Sequence, residues 1–170
     1  MTLIRPARNE DVDAIERIVD RAYRHYVQRI GRKPAPMLDD YTVKVRDAVV
    51  LVAEEREVIG VIVLIAKDDY LLVENVAVEP SHQGRGIGRA LLAAAERHAT
   101  DRGLTELRLY TNAAMTENLA FYPRLGYTEV ARRARDGFDR VYFSKPAQPP
   151  ETDRTTRAGA TDSHKKGPLE

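Results

Sequence analysis

The chain has no cysteine and no tryptophan, and aromatic residues make up only 6% of it. Without cysteine there is no disulfide framework, no thiolate metal cage and no cysteine nucleophile. The scarcity of aromatics weighs against an RNA binder that stacks bases on exposed rings. An excess of charge is missing too. Lys and Arg number 27 against 26 Asp and Glu, a net charge of +1. No overall field therefore draws in nucleic acid or an anionic membrane. The longest apolar run, Val58–Ala66, is too short to cross a bilayer. The opening MTLIRPARNEDVD becomes charged before a signal-peptide core can form. His25, His82, His98 and His164 show no metal-ligand spacing, so no metal is expected. What remains is 170 residues, 43% of them hydrophobic, enough for one domain with a core and a cleft. The expectation is a soluble cytoplasmic protein with no nucleic-acid or membrane partner.

Periodicity divides the chain. Residues 2–6 read as a short strand. From Asn9 onward Val12, Ile15, Val19, Ala22, Tyr23, Tyr26 and Ile30 recur at three- and four-residue steps. That spacing predicts one long amphipathic helix, with Asn9 as N-cap and Gly31 as its stop. Pro34 and Pro36 break it, and Asp39 is expected to cap a short second helix over 41–46. The period then changes to β-branched runs at 49–54 and 58–67, joined by a hairpin at 55–57. A break at Asp68-Asp69 leads into a third antiparallel strand, 70–78. Residues 86–102 read as a helix, 104–111 as a strand, and 116–125 as a short helix ended by Gly126. Two final strands, 127–133 and 138–144, bracket Asp136-Gly137, a strong hairpin signal.

The crossover from 70–78 through a helix to 104–111 is a βαβ unit, which makes those two strands parallel. The predicted order is β-α-α-β-β-β-α-β-α-β-β, an α/β chain with a mixed sheet and helices packed on it. The folded domain is expected over 1–146. Residues 147–170 hold almost no large apolar side chain and are expected to form a disordered tail.

Gln83-Gly84-Arg85-Gly86-Ile87-Gly88-Arg89 lies between the third strand of the meander and the following helix. Glycines at alternate positions expose successive backbone N–H groups at the positive end of the helix dipole. Such a surface suits a phosphate or pyrophosphate, and Arg85 and Arg89 add charge at its rim. A Walker loop would need Lys then Ser or Thr after its last glycine, where this chain has Arg89-Ala90. The dinucleotide fingerprint GxGxxG is out of register from either starting glycine. The plainer alternative is that the glycines only make a tight turn.

Gln83-x-x-Gly86-x-Gly88, following Val76-Ala77-Val78-Glu79-Pro80, resembles the acyl-CoA signature of the GNAT superfamily of N-acetyltransferases. Asn118-Leu-Ala-Phe-Tyr122-Pro-Arg-Leu-Gly126-Tyr127 resembles that family's second signature. The likeness covers residues 2–146 in element order. It implies a mostly antiparallel sheet with a splayed parallel pair, helices on both faces, and acetyl-CoA as co-substrate. By the resemblance, Gln83, Gly84, Arg85, Gly86, Gly88 and Arg89 hold the CoA pyrophosphate. Val76 and Val78 pair with pantetheine as an added strand, and Asn118 bonds the pantetheine arm. Tyr122 protonates the departing thiolate, and a Tyr hydroxyl with an ordinary pKa near ~10 keeps its proton at neutral pH.

Glu74 is the first candidate for the base that neutralises the acceptor amine, sharing a strand face with Leu72 and Val76 by alternation; a structural carboxylate is the other reading. Tyr26 and Asn112 are candidates for substrate binding, with an Asx turn as the alternative for Asn112. Asp39 and Asp40 read either as attractors for a cationic amine or as a cap and solvent face. Pro123 departs from the family pattern, and a kink there would shift Tyr122. The implied activity is direct acetyl transfer to a primary amine of a small molecule or peptide. A CoA-binding sensor with little turnover is the alternative, and since the family is often dimeric a homodimer stays open.

Overall fold

The structure, a computed structural model, describes residues 1–148. In chain order the elements are β1 (Leu3–Pro6), α1 (Val12–Tyr23), α2 (Tyr26–Ile30), α3 (Tyr41–Asp47), β2 (Val49–Glu54), β3 (Val58–Ala66), β4 (Tyr70–Val78), α4 (Ile87–Asp101), β5 (Glu106–Asn112), α5 (Thr116–Arg124), β6 (Thr128–Arg135) and β7 (Phe138–Pro146). The β-branched runs pair as the turn signals predict, β2, β3 and β4 forming an antiparallel meander with β1 on its edge. The βαβ crossover makes β4 and β5 parallel, from Tyr70 opposite Glu106 to Val73 opposite Leu109. The last hairpin inserts β7 between β5 and β6, so the sheet order is β1-β2-β3-β4-β5-β7-β6. Its turn is made by Asp136 and Gly137, both at positive φ, as an Asp-Gly pair allows.

Two layers cover the sheet. On one face α1 buries Ile15, Ile18, Val19 and Ala22 against Val50, Val52, Val61, Val63 and Ala77, with Tyr41 of α3 beside them. On the other face α4 buries Leu91, Leu92, Ala95 and Ala99 against Ile59, Ile62, Leu64, Leu71, Val73, Leu107 and Leu109. Gly60 sets how closely α4 approaches. A Cβ there would meet Leu91 Cδ1 at 3.1 Å and Ile87 Cγ2 at 3.2 Å. The first turn of α4 can therefore lie close against β3.

A β-bulge in β4 creates the cleft. Val63 pairs with Asn75 and Leu64 with Val73, so Glu74 is an extra residue in the strand. Leu71 and Val73 pack in the α4 layer, whereas Ala77 packs with α1. The strand still alternates half-buried and buried along its whole length. The pattern thus conceals that its buried residues change layers. It also corrects the face expected for Glu74: Val76 packs toward the α4 layer, while Glu74 turns to Lys44 of α3. Pairing of β4 with β5 ends at Val73, immediately before the bulge. A bulge bends its strand, and from here the two strands diverge.

Other local expectations change. The long first helix is two, because the chain tightens at Arg24 and His25, where the Val27 N–H reaches the Arg24 carbonyl at 3.2 Å. Asn9 is not its cap. The entry is organised by Asp11, which accepts from the Arg8 N–H at 2.7 Å and from the Arg5 guanidinium at 2.8 and 3.1 Å. Asp40, not Asp39, caps α3, accepting from the Thr42 and Val43 N–H groups at 3.0 and 3.3 Å. Pro123 stands one residue from the end of α5, and the helix runs through it. After β7 the Ala147 N–H donates to the Thr105 carbonyl at 2.9 Å. The expected tail lies outside the described residues beyond Gln148. Among the described residues no helix is long and apolar enough to cross a membrane.

Candidate active site

The divergence of β4 from β5 opens two connected spaces. A groove of about 540 Å³ runs between the end of β4, the glycine turn, α2 and α5. A smaller cavity of about 110 Å³ lies between the α2–α3 loop, the bulge of β4, β5 and the start of β7. Tyr23, Val76, Asn118 and Tyr122 line both.

Backbone forms much of the groove. The Val76 carbonyl lies 3.0 Å from the Tyr23 hydroxyl and the Val78 carbonyl accepts from Gln83 Nε2 at 3.1 Å, while the Glu79 N–H crosses to the Ile59 carbonyl of β3. In an antiparallel ladder a residue whose carbonyl faces away from its partner strand turns its N–H the same way. The amide groups of Val76 and Val78 are therefore aimed into the groove, where β5 no longer accompanies β4. Opposite them Gly84 and Gly86 hold φ of 80° and 84°, conformations that disfavour a side chain, and a Cβ on either would meet nothing within 4 Å. Gly86 caps α4 and its carbonyl takes the Ala90 N–H at 3.0 Å. The N–H groups of Ile87, Gly88 and Arg89 thus begin the helix without intrahelical acceptors. With the dipole of a four-turn helix behind them, they form an anion site.

Arg89 and Arg124 line this groove. Arg85 does not: its guanidinium pairs with Glu55 of the β2–β3 hairpin at 3.0 Å. The Gln83 N–H is engaged with the Pro80 carbonyl at 3.3 Å. Tyr26 also lines the groove and not the smaller cavity, with its hydroxyl donating to Glu117 at 2.7 Å. Arg29 joins the same carboxylate at 2.8 Å, so α2 and α5 are clasped.

Side chains form the smaller cavity. Glu74 carries Lys44 Nζ on its carboxylate at 2.5 Å. Asp39, free of capping, stands beside them. Burial pushes its carboxyl above the usual range, the nearby Lys44 charge opposes this and Glu74 adds to it. The buried Asn75 donates to the Tyr41 hydroxyl at 2.9 Å and accepts from Tyr23 at 2.7 Å, and Tyr41 donates to the Pro36 carbonyl at 2.6 Å. This chain fixes the α2–α3 loop over the cavity. Asn112 lines the cavity and also makes the Asx turn, accepting from the Ala114 N–H at 2.9 Å.

The shared wall is tightly held. Asn118 Nδ2 donates to Thr111 Oγ1 at 3.0 Å, leaving its carbonyl oxygen to accept. Tyr122 is buried against Phe121, Tyr127 and Phe143. Its hydroxyl makes no hydrogen bond to any described residue. Burial raises its pKa well above the ordinary tyrosine value, so it keeps its proton at neutral pH.

Sequence reading did not find Arg124 or Arg140 at these walls, or Lys44 on the Glu74 carboxylate. Arg140 carried one usable signal: alternation along Phe138-x-Arg140-x-Tyr142 puts it on one face of β7 with two aromatics. Among the described residues no cluster of three His, Asp or Glu could hold a metal.

Residues 46–129 match the family model described as acetyltransferase (GNAT) domain. The mycothiol acetyltransferase of Catenulispora acidiphila is 44% identical over 61 residues, 36% of this chain but 18% of that protein. That of Cellulomonas flavigena is 41% identical over 75 residues, 44% of this chain and 20% of the relative. The chain thus matches about a fifth of the length of these curated relatives. The paia N-acetyltransferase of Thermoplasma acidophilum in complex with coenzyme A superposes with a TM-score of 0.70 at 20% identity, over 86% of this chain and 99% of that one. An N-acetyltransferase of Staphylococcus aureus superposes at 0.71 and 19%, over 87% and 99%. At such identities the likeness shows the fold.

Proposed function

This chain belongs to the GNAT acetyltransferase family, and from that premise we propose that it transfers an acetyl group from acetyl-CoA directly to a primary amine of a small molecule or peptide. One observation carries the reading. A groove lined by unpaired backbone donors meets a second cavity lined by carboxylates, and the two share Val76, Asn118 and Tyr122. That is the layout required by two substrates that must touch at one point.

The N–H groups at the start of α4 take the pyrophosphate, with Arg89 and Arg124 adding charge. The outward amides of Val76 and Val78 hold the pantetheine arm as a strand would, and the Asn118 carbonyl oxygen accepts from it. Asp39 and Glu74 draw in the acceptor as an ammonium ion and take its proton. A carboxyl raised by burial, like that of Asp39, is suited to accept a proton. The neutral nitrogen attacks the thioester carbon while the Val76 N–H stabilises the developing oxyanion. As the carbon–sulfur bond breaks, Tyr122 gives its proton to the leaving thiolate, and the extra proton on the new amide nitrogen is lost to restore the Tyr122 hydroxyl. No cysteine offers a covalent relay, so acetyl passes in one transfer.

A thermal-shift titration with acetyl-CoA, CoA, ATP and NAD tests this. A ligand at a hundred times its Kd adds ~2.7 kcal/mol of stability. Acetyl-CoA and CoA should raise the melting temperature, and ATP and NAD should leave it unchanged. A shift by ATP, or by none of the four, removes the reading.

A further inference from the structure

We propose that the acceptor is a small free amino acid, its amine placed against Asp39 and its carboxylate on Arg140. The proposal rests on acetyl transfer as read above and names the acceptor class. The smaller cavity carries charge of both signs in its lining: Asp39 of the α2–α3 loop and Glu74 of the bulge, the latter already paired with Lys44, and Arg140 of β7. Tyr110 lines the same cavity. Burial is the main cause of its raised hydroxyl pKa, Arg140 opposes the shift, and Glu74 and Asp39 add to it. Charges of both signs are thus within electrostatic reach of one hydroxyl.

Arg140 is held in place but little used. It pairs in register with Asn112, and its guanidinium stacks 4.4 Å from the Tyr110 ring centroid. Its side chain is only 12% exposed, yet among the described residues its one ion pair is with the solvent-facing Asp136 at 3.7 Å. A pair that long and exposed contributes little. Arg5, exposed to a similar 11%, is by contrast matched by both Asp11 and Glu54 at 2.8 and 2.7 Å. A largely buried guanidinium at a cavity wall, with no close carboxylate on its forked donors among the described residues, suits a bidentate carboxylate. Size agrees. An apolar cavity of roughly 150 Å³ takes a benzene, so about 110 Å³ suits an amino acid with a short side chain. A peptide acceptor would set a neutral amide against Arg140.

The test is CoA release at saturating acetyl-CoA, with the proteinogenic amino acids and the primary amide of each, compared at equal free-amine concentration. At least one amino acid should exceed its amide by about 10- to 100-fold in kcat/KM, the range for a hydrogen-bonded charged partner. Arg140→Gln should erase that gap by lowering the acid and not the amide, with the KM for acetyl-CoA unchanged. Arg140→Lys, which keeps the charge without the fork, should fall between. Equal use of acid and amide by the wild type, or an equal loss of both in Arg140→Gln, overturns the proposal, as does turnover of amides alone. If Arg140→Gln does not fold, the wild-type ratio still decides. Absence of release from every compound together with no acetyl-CoA binding would instead sink acetyl transfer itself.

Discussion

The groove and the smaller cavity meet at one wall but are built from different materials. The groove's anion site and its strand-like edge are backbone: residues 76–78 and 84–89, a single stretch of chain with two positive-φ glycines. The cavity is side chains from the α2–α3 loop, β4, β5 and β7. A site made of N–H groups binds any ligand with the right phosphate and amide spacing and changes little when surface residues do. A site made of side chains from four distant segments is free to vary its ligand. On the proposed reading, the donor is held by the part least sensitive to side-chain change and the acceptor by the part most sensitive to it.

Gly86→Val should have the largest effect. At φ 84° valine is strained, and its Cβ projects into open space at the mouth of the anion site. Acetyl-CoA affinity should fall by about 100-fold or more, the scale of losing charge-assisted bonds to phosphate. Calorimetric titration alongside a melting curve checks it. Unchanged affinity in a folded variant would mean that the backbone at this turn does not hold the donor.

That asymmetry also decided what could be read in advance. The meander, the crossover, the last hairpin and the glycine turn were legible because each is announced by local chemistry: β-branched runs, Asp-Gly, glycines before a helix. The bulge at Glu74 was not, because burial alternates through it without interruption. The tandem Asp39-Asp40 offered two caps, and only the path of the loop decides that Asp40 caps while Asp39 faces the cavity. Tyr26 shares the helical spacing of Tyr23, yet the break at Arg24 and His25 sends Tyr26 to Glu117 and Tyr23 to Asn75. No periodicity encodes such choices, since they depend on contacts between segments far apart in sequence.

Tyr122→Phe probes the wall common to both sites. Its hydroxyl has no partner among the described residues, so its removal orphans nothing and the melting temperature should hold. Loss of a general acid should cut kcat by about 100-fold, with acetyl-CoA affinity within about threefold of wild type. Equal losses in kcat and affinity would make Tyr122 a packing residue of the groove.

Asp39→Asn should touch the cavity alone. With the wild type, acceptor kcat/KM should decline as pH falls through the raised Asp39 pKa, since protonation removes the charge that attracts the amine. The variant should lose that inflection and raise the acceptor KM by about tenfold, with the KM for acetyl-CoA unmoved. A change in the acetyl-CoA KM as well would show that the two sites are coupled through their shared wall.

Gly88→Ala should be the mildest change, and it sharpens the contrast inside the glycine turn itself. Unlike Gly84 and Gly86, Gly88 is not at positive φ, and a Cβ there would meet Phe121 Cζ and Val78 Cγ2 at 3.8 Å, ordinary contact distance. Alanine is the better helix former by about 0.5–1 kcal/mol, so the melting temperature should rise slightly. Acetyl-CoA affinity should change by less than about threefold, because the N–H that matters is kept. A loss beyond about tenfold would place the donor against the Gly88 Cα itself. The bare backbone wall would then extend a full turn into α4, and all three glycines would be needed for close approach instead of two for chain direction.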